Sequence, residues 1–136
     1  MSGITGIDAA RAYFEGDRFA VNAGISIDEV APGYAVCHFD ITPDHLNAEN
    51  GVMGGAIFTL IDLAFAVASN NVHKSTVAQQ VSLNFLSGTR GKRLVARASC
   101  RKDGRSSCVY NVDVYDDLGR DIAQATVTGF KLNGKN

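Results

Sequence analysis

The sequence predicts an α+β fold in which a curved antiparallel sheet wraps around one long central helix. An apolar run from Ala56 to Ala68, which only Thr59 and Asp62 interrupt, predicts the helix, because a helix that is apolar on nearly every side belongs in a protein interior. Segments with strand character flank this run and are separated by turn residues, which predicts the sheet. A sheet that curves around the helix is the simplest way to cover it.

The composition is typical of one compact domain. With 136 residues, 46% of them hydrophobic and only 2 prolines, the chain can bury a core, so we expect a single domain over residues 1–136. A net charge of -1 gives no electrostatic reason for a nucleic-acid or membrane partner. The apolar run of 13 residues is too short to span a bilayer. The N-terminus lacks the pattern of a secretory signal, so we expect a cytoplasmic location.

The elements before the central helix are short. Ile7 to Phe14 predicts an amphipathic helix, and Gly24 to Val30 predicts a first strand. Ala31 to Gly33 has turn chemistry, because proline presets φ and glycine permits positive φ. Tyr34 to Ile41 alternates as a half-buried strand does. Thr42 to Met53 is predicted to be irregular.

The central helix is predicted to run from about Gly54 to Asn70, and four long strands follow it. Asp103-Gly104 is a two-residue hairpin signal, and Asp116 to Gly119 is a longer turn. These turns help to delimit the predicted strands, which are about Thr76 to Leu86, Arg93 to Lys102, Ser106 to Tyr115 and Arg120 to Leu132.

The cysteines predict no special chemistry. Cys37, Cys100 and Cys108 are odd in number and widely spaced, which fits neither a disulfide framework nor a zinc site. We expect them to be small buried hydrophobic residues and expect no metal ligands.

The stretch around the start of the central helix resembles the PaaI-like family of hotdog-fold acyl-CoA thioesterases. The family pattern is present as His45-Leu46-Asn47, Gly51, Met53-Gly54-Gly55 and Leu60-Ile61-Asp62. The similarity extends over about Gly24 to Phe130. It implies a hotdog fold and hydrolysis of acyl-CoA thioesters to free acid and CoA, with no cofactor.

The residues can be tested against that chemistry. Thioester hydrolysis needs a carboxylate that activates water or attacks directly, and a donor for the carbonyl oxygen. Asp62 is the candidate base or nucleophile, and the backbone N–H of Gly54 is the candidate donor, because the first N–H groups of a helix lack intrahelical partners. By resemblance, Asn47 orients the water or the carboxylate. The alternatives are an Asp62 held by backbone or hydroxyl groups and an Asn47 that only shapes its loop.

The substrate contacts rest on the resemblance. Met53 stands where the family usually has histidine and brings no strong hydrogen-bond donor. Some relatives use a Ser or Thr on the strand after the helix, where this chain has Ala78 with Thr76 and Gln79 nearby. The candidate substrate-binding residues are His45, Met53, Gly55, Ser87, Gly88, Gly104, Arg105 and Ser106. The alternative for His45 is a structural role in which it holds the loop.

Two basic clusters are candidates for the phosphates of CoA. The first contains Arg90, Lys92 and Arg93, and the second contains Arg101, Lys102 and Arg105. The strand between them is roughly 26 Å long, so they lie at opposite ends of one subunit. The resemblance favours the turn at Gly104 to Ser106, together with Ser87 and Gly88.

The spacing of the catalytic candidates predicts an assembly. Gly54 and Asp62 are eight residues apart, which is roughly 12 Å along a helix, so one thioester carbon cannot contact both. We therefore expect a homodimer in which Gly54 and Asn47 of one chain face Asp62 of the other. The resemblance implies that two dimers often pair as a tetramer.

Two rival functions remain open from the sequence. Met53 favours an acyl-CoA sensor without turnover, and Asp40 to His45 partly imitates the motif of an enoyl-CoA hydratase. Aryl, short-chain and medium-chain acyl groups all remain possible. Candidate acyl-pocket residues are Phe58, Leu63, Phe65, Phe85 and Leu86.

Overall fold

The computed structural model describes residues 3–132 and has an α+β architecture. The helices and strands are α1 (Ile7–Phe14), α2 (Arg18–Asn22), β1 (Ser26–Ala31), β2 (Tyr34–Asp40), α3 (Gly54–Val72), β3 (Thr76–Phe85), β4 (Arg93–Asp103), β5 (Ser107–Asp116) and β6 (Asp121–Lys131). A short 3-10 turn at Pro43–His45 lies between β2 and α3. Residues 1–2 and 133–136 of the predicted domain lie outside the described range.

The strands form one antiparallel sheet in the order β1-β2-β4-β5-β6-β3. Helix α3 packs against this sheet, and small buried side chains on the strands allow the helix to approach closely. Alternate residues of each central strand point to the helix, which is why their burial has a period of two. The predicted fold class is confirmed. The buried small residues facing inward are Ala35, Cys37, Ala96, Ala98 and Ala125.

Several predicted boundaries are wrong by a few residues. Helix α3 continues past Asn70 to Val72, and helix α2 was not predicted because its five residues are too short to show a helical period. The two-residue loop between β4 and β5 is Arg105-Ser106, since the Gly104 N–H donates to the Ser107 carbonyl at 2.9 Å. The pairing of Asp103 with Cys108 carries the ladder past the predicted Asp103-Gly104 turn.

The prediction for the cysteines is partly wrong. Cys37 and Cys108 are buried, whereas Cys100 is exposed. Strand β4 has a register irregularity between Cys100 and Lys102, which changes the alternation of inward and outward side chains at the end of the strand.

Helix α3 is not covered on every side, contrary to the expectation of a wholly buried helix. An open stripe runs along it at helical spacing and consists of Gly55, Phe58, Thr59, Asp62 and Ala66. Phe58 is 40% exposed within this stripe. The helix has 19 residues and is longer than the apolar run that was judged too short to span a bilayer. By length and apolar composition it could cross a membrane, but most of it is buried inside the fold. Asp62 therefore lies on the uncovered face of a core helix.

The turn between β5 and β6 depends on one buried carboxylate. Asp116 accepts hydrogen bonds from the Thr89 hydroxyl at 2.7 Å, the Arg120 N–H at 2.9 Å and the Leu118 N–H at 3.0 Å. The hydrogen bond from Thr89, followed by those from the backbone of Arg120 and Leu118, lowers the pKa of Asp116. These bonds tie the β5–β6 turn to the segment after β3.

We expect Asp116→Ala to lower the free energy of unfolding by about 2 kcal/mol or more at neutral pH, because it removes a charged acceptor from three donors. A carboxylate with a lowered folded pKa stabilises the fold above its unfolded pKa, and this contribution is lost as the pH falls through the folded pKa. The difference between wild type and variant should therefore shrink in acid. Urea unfolding at pH 7 and pH 3 measures this difference in the free energy of unfolding, and Asp113→Ala, at an exposed position, is the control. If Asp116→Ala were as stable as the wild type at pH 7, the stabilising role of Asp116 would be contradicted.

Candidate active site

The N-terminus of α3 presents free backbone donors. Met53 is the N-cap residue and supplies no side-chain cap. The N–H groups of Gly54 and Gly55 have no acceptor within residues 3–132. These groups also lie at the positive end of the helix dipole, so they are suited to polarising a carbonyl oxygen.

Gly54 opens into a cavity of about 700 Å³. A side chain on Gly54 would meet the Phe85 ring, since an added Cβ would lie 3.0 Å from its Cζ. Glycine therefore lets the aromatic ring come close to the helix start. The apolar and polar residues that line the rest of this cavity are Ile41, Leu46, Asn50, Gly51, Val52, Ile57, Leu86, Ser87, Gly88, Thr89, Gly91 and Ile122.

Asp62 has no hydrogen-bond or ion-pair partner in the part of the chain that the structure describes. This excludes, for the described chain, the alternative that backbone or hydroxyl groups hold its carboxylate. Apolar neighbours such as Phe58 and Leu63 line its surroundings. Partial burial raises the pKa of Asp62, and the negative charge of Asp17 raises it further by a smaller amount. The carboxylate is thus unpartnered and more basic than an ordinary aspartate.

Gly54 and Asp62 do not meet within one chain. Asp62 lines two smaller cavities, of about 260 Å³ and about 360 Å³, and neither includes Gly54. The two residues are separated by roughly two turns of helix, or about 12 Å. A site that uses both needs two copies of α3.

The loop before α3 is built around Asn47 and His45. The Asn47 Oδ1 accepts from the Glu49 N–H at 2.9 Å and from the Gly51 N–H at 3.0 Å. Asn47 thus shapes its loop, which was the alternative to a role in orienting the water or the carboxylate. Its Nδ2 has no acceptor in the described range and is open to a ligand or a second chain. Asn47 can therefore shape its loop through Oδ1 and still contact a ligand or a second chain through Nδ2.

His45 is buried and holds the loop through both ring nitrogens. Its Nδ1 accepts from the Thr42 N–H at 2.9 Å, and its Nε2–H donates to the Ala23 carbonyl at 2.6 Å. The ring stacks on Phe39, with the ring centroids 4.2 Å apart. The His45 carbonyl also accepts from the Met53 N–H, directly before Gly54. Of the two roles expected for His45, this arrangement favours holding the loop over contacting the substrate.

The other predicted substrate residues lie in three places. Ser87 and Gly88 line the cavity of Gly54, whereas Met53, which is 56% exposed, and Gly55 face outward beside it. The turn Gly104–Ser106 lies at the other end of the sheet, where Lys131 donates to the Gly104 carbonyl. Within one chain this turn cannot share a site with Ser87 and Gly88, because the full length of β3 separates them, so their predicted grouping requires a second chain.

The strand after α3 adds no hydroxyl directed at Asp62. Ala78 and Thr76 line a cavity with Asp62, but the Thr76 hydroxyl donates to the His73 carbonyl. Gln79 is not among the residues that line it. Asp17, which precedes α2, does line it and was missed from sequence because α2 was not predicted. An aspartate before a short apolar segment was the available signal.

The described residues contain no group of three or more His, Cys, Asp or Glu side chains that could hold a metal ion. The candidate site therefore consists of an unpartnered carboxylate, a helix N-terminus and an adjoining cavity. A long helix wrapped by an antiparallel sheet, with these groups on the helix, defines a hotdog-fold protein.

Comparisons with known proteins agree with this class. The family model of the thioesterase superfamily matches residues 50–123. The acyl-coenzyme A thioesterase PaaI of Escherichia coli is 33% identical over 126 residues, which cover 92% of this chain and 90% of that protein. The solved structure of E. coli PaaI, from the phenylacetic acid degradation operon, superposes with a TM-score of 0.87 over 92% of this chain and 91% of that one, at 29% identity.

A hypothetical thioesterase from Streptococcus pneumoniae, solved with coenzyme A, is 25% identical and has a TM-score of 0.81. That match covers 88% of this chain and 97% of the other. The chain belongs to the thioesterase superfamily, within its PaaI-like branch, and is a thioester hydrolase.

Proposed function

We propose that the protein hydrolyses acyl-CoA thioesters to free acid and CoA, with Asp62 as base or nucleophile and the Gly54 N–H polarising the carbonyl. The observation that carries this proposal is the Asp62 carboxylate, which has no partner within residues 3–132 and lies on the open stripe of α3. The similarity to a named acyl-coenzyme A thioesterase and to a structure containing coenzyme A supports the substrate class.

The reaction balances without a cofactor. As a general base, Asp62 takes a proton from water while the water oxygen bonds to the thioester carbonyl carbon. The Gly54 N–H donates to the developing oxyanion. When the C–S bond breaks, the thiolate of CoA receives the proton from Asp62. If Asp62 is instead the nucleophile, it forms an acyl anhydride and releases the thiolate, and water then hydrolyses the anhydride.

The catalytic unit is a homodimer in which Gly54 and Asn47 of one protomer face Asp62 of the partner subunit. The open stripe of α3 supports this assembly, because a second copy of the stripe would cover it in an antiparallel arrangement across a two-fold axis. The edge strand β3 lies beside the open stripe of α3, and its Val77 is 43% exposed. Two such dimers then pair as a tetramer.

Subunit complementation tests the shared site. We expect Asp62→Asn and Gly54→Pro to be nearly inactive alone, but co-expression of both chains in equal amounts should restore about a quarter of wild-type turnover. About half of the dimers are then mixed, and each mixed dimer has one intact site out of two. Turnover measured on purified dimers, with each single variant as control, gives the result.

If each chain formed its own site, a mixed dimer would contain no intact site. Activity no higher than that of the single variants would therefore contradict the shared arrangement. A monomer would be inactive.

The acyl group and the CoA phosphates have separate candidate sites. The cavity at Gly54 offers an apolar lining that includes Ile57, Phe85 and Ile122. Among the basic clusters, Arg90 and Lys92 lie at the Gly54 end of the sheet, whereas Arg105 lies at the Gly104 end, so a dimer decides which cluster faces the substrate. Free-thiol release from acetyl-, hexanoyl-, decanoyl-, phenylacetyl- and benzoyl-CoA tests the function and ranks the acyl groups.

A binding protein without turnover is the second candidate, and the position of Met53 favours it. Its side chain is exposed at the start of α3 and supplies no donor next to Gly54. Binding of acyl-CoA, measured by calorimetry, without thiol release from any substrate in the panel would support this second function.

A further inference from the structure

A second carboxylate lies beside Asp62 in the same chain. Asp17 is the N-cap residue of α2, and its carbonyl accepts from the Val21 N–H at 3.0 Å. Asp17 and Asp62 together line both cavities that flank this part of α3, of about 260 Å³ and about 360 Å³. They are the acidic residues that these two cavities have in common.

The Asp17 side chain is not engaged as a helix cap. An N-cap aspartate usually accepts a backbone N–H from the first turn of its helix, yet Asp17 makes no such bond. No other hydrogen bond or ion pair holds its carboxylate in the described part of the chain. Helix capping therefore does not explain why this position carries a carboxylate that opens into the cavities of Asp62.

We propose that Asp17 is a positioning residue for the proposed hydrolysis, acting through Asp62 across the cleft that the two carboxylates share. This inference rests on the proposed function of Asp62. A like charge nearby disfavours ionisation and so makes a carboxylate a stronger proton acceptor. General-base catalysis gains when the pKa of the base lies closer to the working pH.

The electrostatics agree with this geometry. Burial raises the pKa of Asp17, and burial followed by the charge of Asp17 raises the pKa of Asp62.

The other titratable groups around Asp62 do not cancel the rise in its pKa that the charge of Asp17 causes. From α2, Arg18 lines one cavity and donates to the Glu15 carbonyl. From α1, Tyr13 lines the other cavity, and the Nζ of Lys74 lies 4.9 Å from the centroid of its ring. The cavity-lining residues of β3 and of α3 itself add no titratable group besides Asp62. Asp17 is the group whose charge acts on Asp62.

The test is the pH profile of kcat/KM for Asp17→Asn, in the full-length protein with whichever acyl-CoA in the panel reacts fastest. Asparagine is as good an N-cap as aspartate, so α2 keeps its start. Removing the like charge lowers the pKa of Asp62, so the acid limb should move to lower pH by about 0.5 unit or more. Turnover on the plateau should fall several-fold, because Asp62 becomes a weaker base.

Glu15→Gln is the matched control, since it removes the same charge from an exposed position two residues away. It should leave the profile unchanged. If Asp17→Asn fails to fold, Asp17→Ser replaces it, because serine is also a good neutral N-cap. A substrate-free measurement is the carboxyl ¹³C titration of Asp62, whose midpoint should fall by the same amount in the variant.

The outcomes separate the two proposals. A wild-type pH profile and a wild-type Asp62 titration in Asp17→Asn would overturn the role of Asp17, even if Asp62→Asn is inactive. An active Asp62→Asn would instead overturn the proposed function. A shifted acid limb together with an inactive Asp62→Asn supports both.

Discussion

Replacing Asp62 with asparagine is expected to lower kcat by about 10²-fold or more on every acyl-CoA that the wild type hydrolyses. Asparagine has the same shape, but it can neither accept the proton of water nor attack the carbonyl as a carboxylate. Because the loss concerns the chemical step, KM should change little. Free-thiol release under saturating substrate measures the effect.

The fold should tolerate this substitution. Asp62 has no partner to lose in the described chain, and its raised pKa means that its ionised form costs stability at neutral pH. The Tm of Asp62→Asn should therefore equal or exceed that of the wild type, as is common when an active-site charge is removed. Asp8→Asn is the control and should keep wild-type activity, because Asp8 is exposed and lines neither cavity of Asp62. Wild-type turnover in Asp62→Asn would refute the assignment.

Gly54→Pro is expected to reduce kcat by about 10²- to 10³-fold, because it deletes the N–H proposed to stabilise the oxyanion. Proline is well suited to this position in other respects. Gly54 is the first residue of α3, where proline is favoured. Met53 before it already has φ -63° and ψ 137°, which is the extended conformation that a residue before proline needs.

Gly54→Ala is the matched variant, since it adds a Cβ but keeps the N–H. The added Cβ pushes against the end of the Phe85 ring, so a smaller loss is expected from displacement of that ring. The ratio of the two kcat values isolates the contribution of the donor. Equal activity of the proline and alanine variants would show that the Gly54 N–H does not act on the transition state.

The central helix and the strand segments could be predicted because their signals are local, whereas the pairing of β3 with β6 at one edge of the sheet was not predicted. The apolar run of α3, the alternation in β2 and the turn at Asp116 to Gly119 each depend on residues close in sequence. Helix α2 was missed because five residues carry no period, and Asp17 was missed with it. The β4–β5 turn was placed two residues early because the strand pairing continues through Asp103.

The roles of the loop residues His45 and Asn47 were harder to predict from the sequence. The sequence places His45 and Asn47 at the family's spacing before α3. Only the folded chain shows that one ring nitrogen of His45 bonds to the nearby Thr42 and the other to Ala23, which is distant in sequence. The bond to Ala23 joins residues that are distant in sequence and has no local signature, so the motif alone left open whether His45 holds the loop or contacts the substrate.

The sequence by itself determined the helix that carries the site, the glycines at its start, and Asp62 two turns later. The tertiary structure decided that the face carrying Asp62 is uncovered, that Asp17 shares its cavities, and that Gly54 opens into a different cavity. Thr59 and Asp62 mark one face of the apolar run, but two polar residues do not show whether the sheet covers that face. Which side remains open depends on how far the sheet curves around it, and this follows from contacts between residues that are distant along the chain.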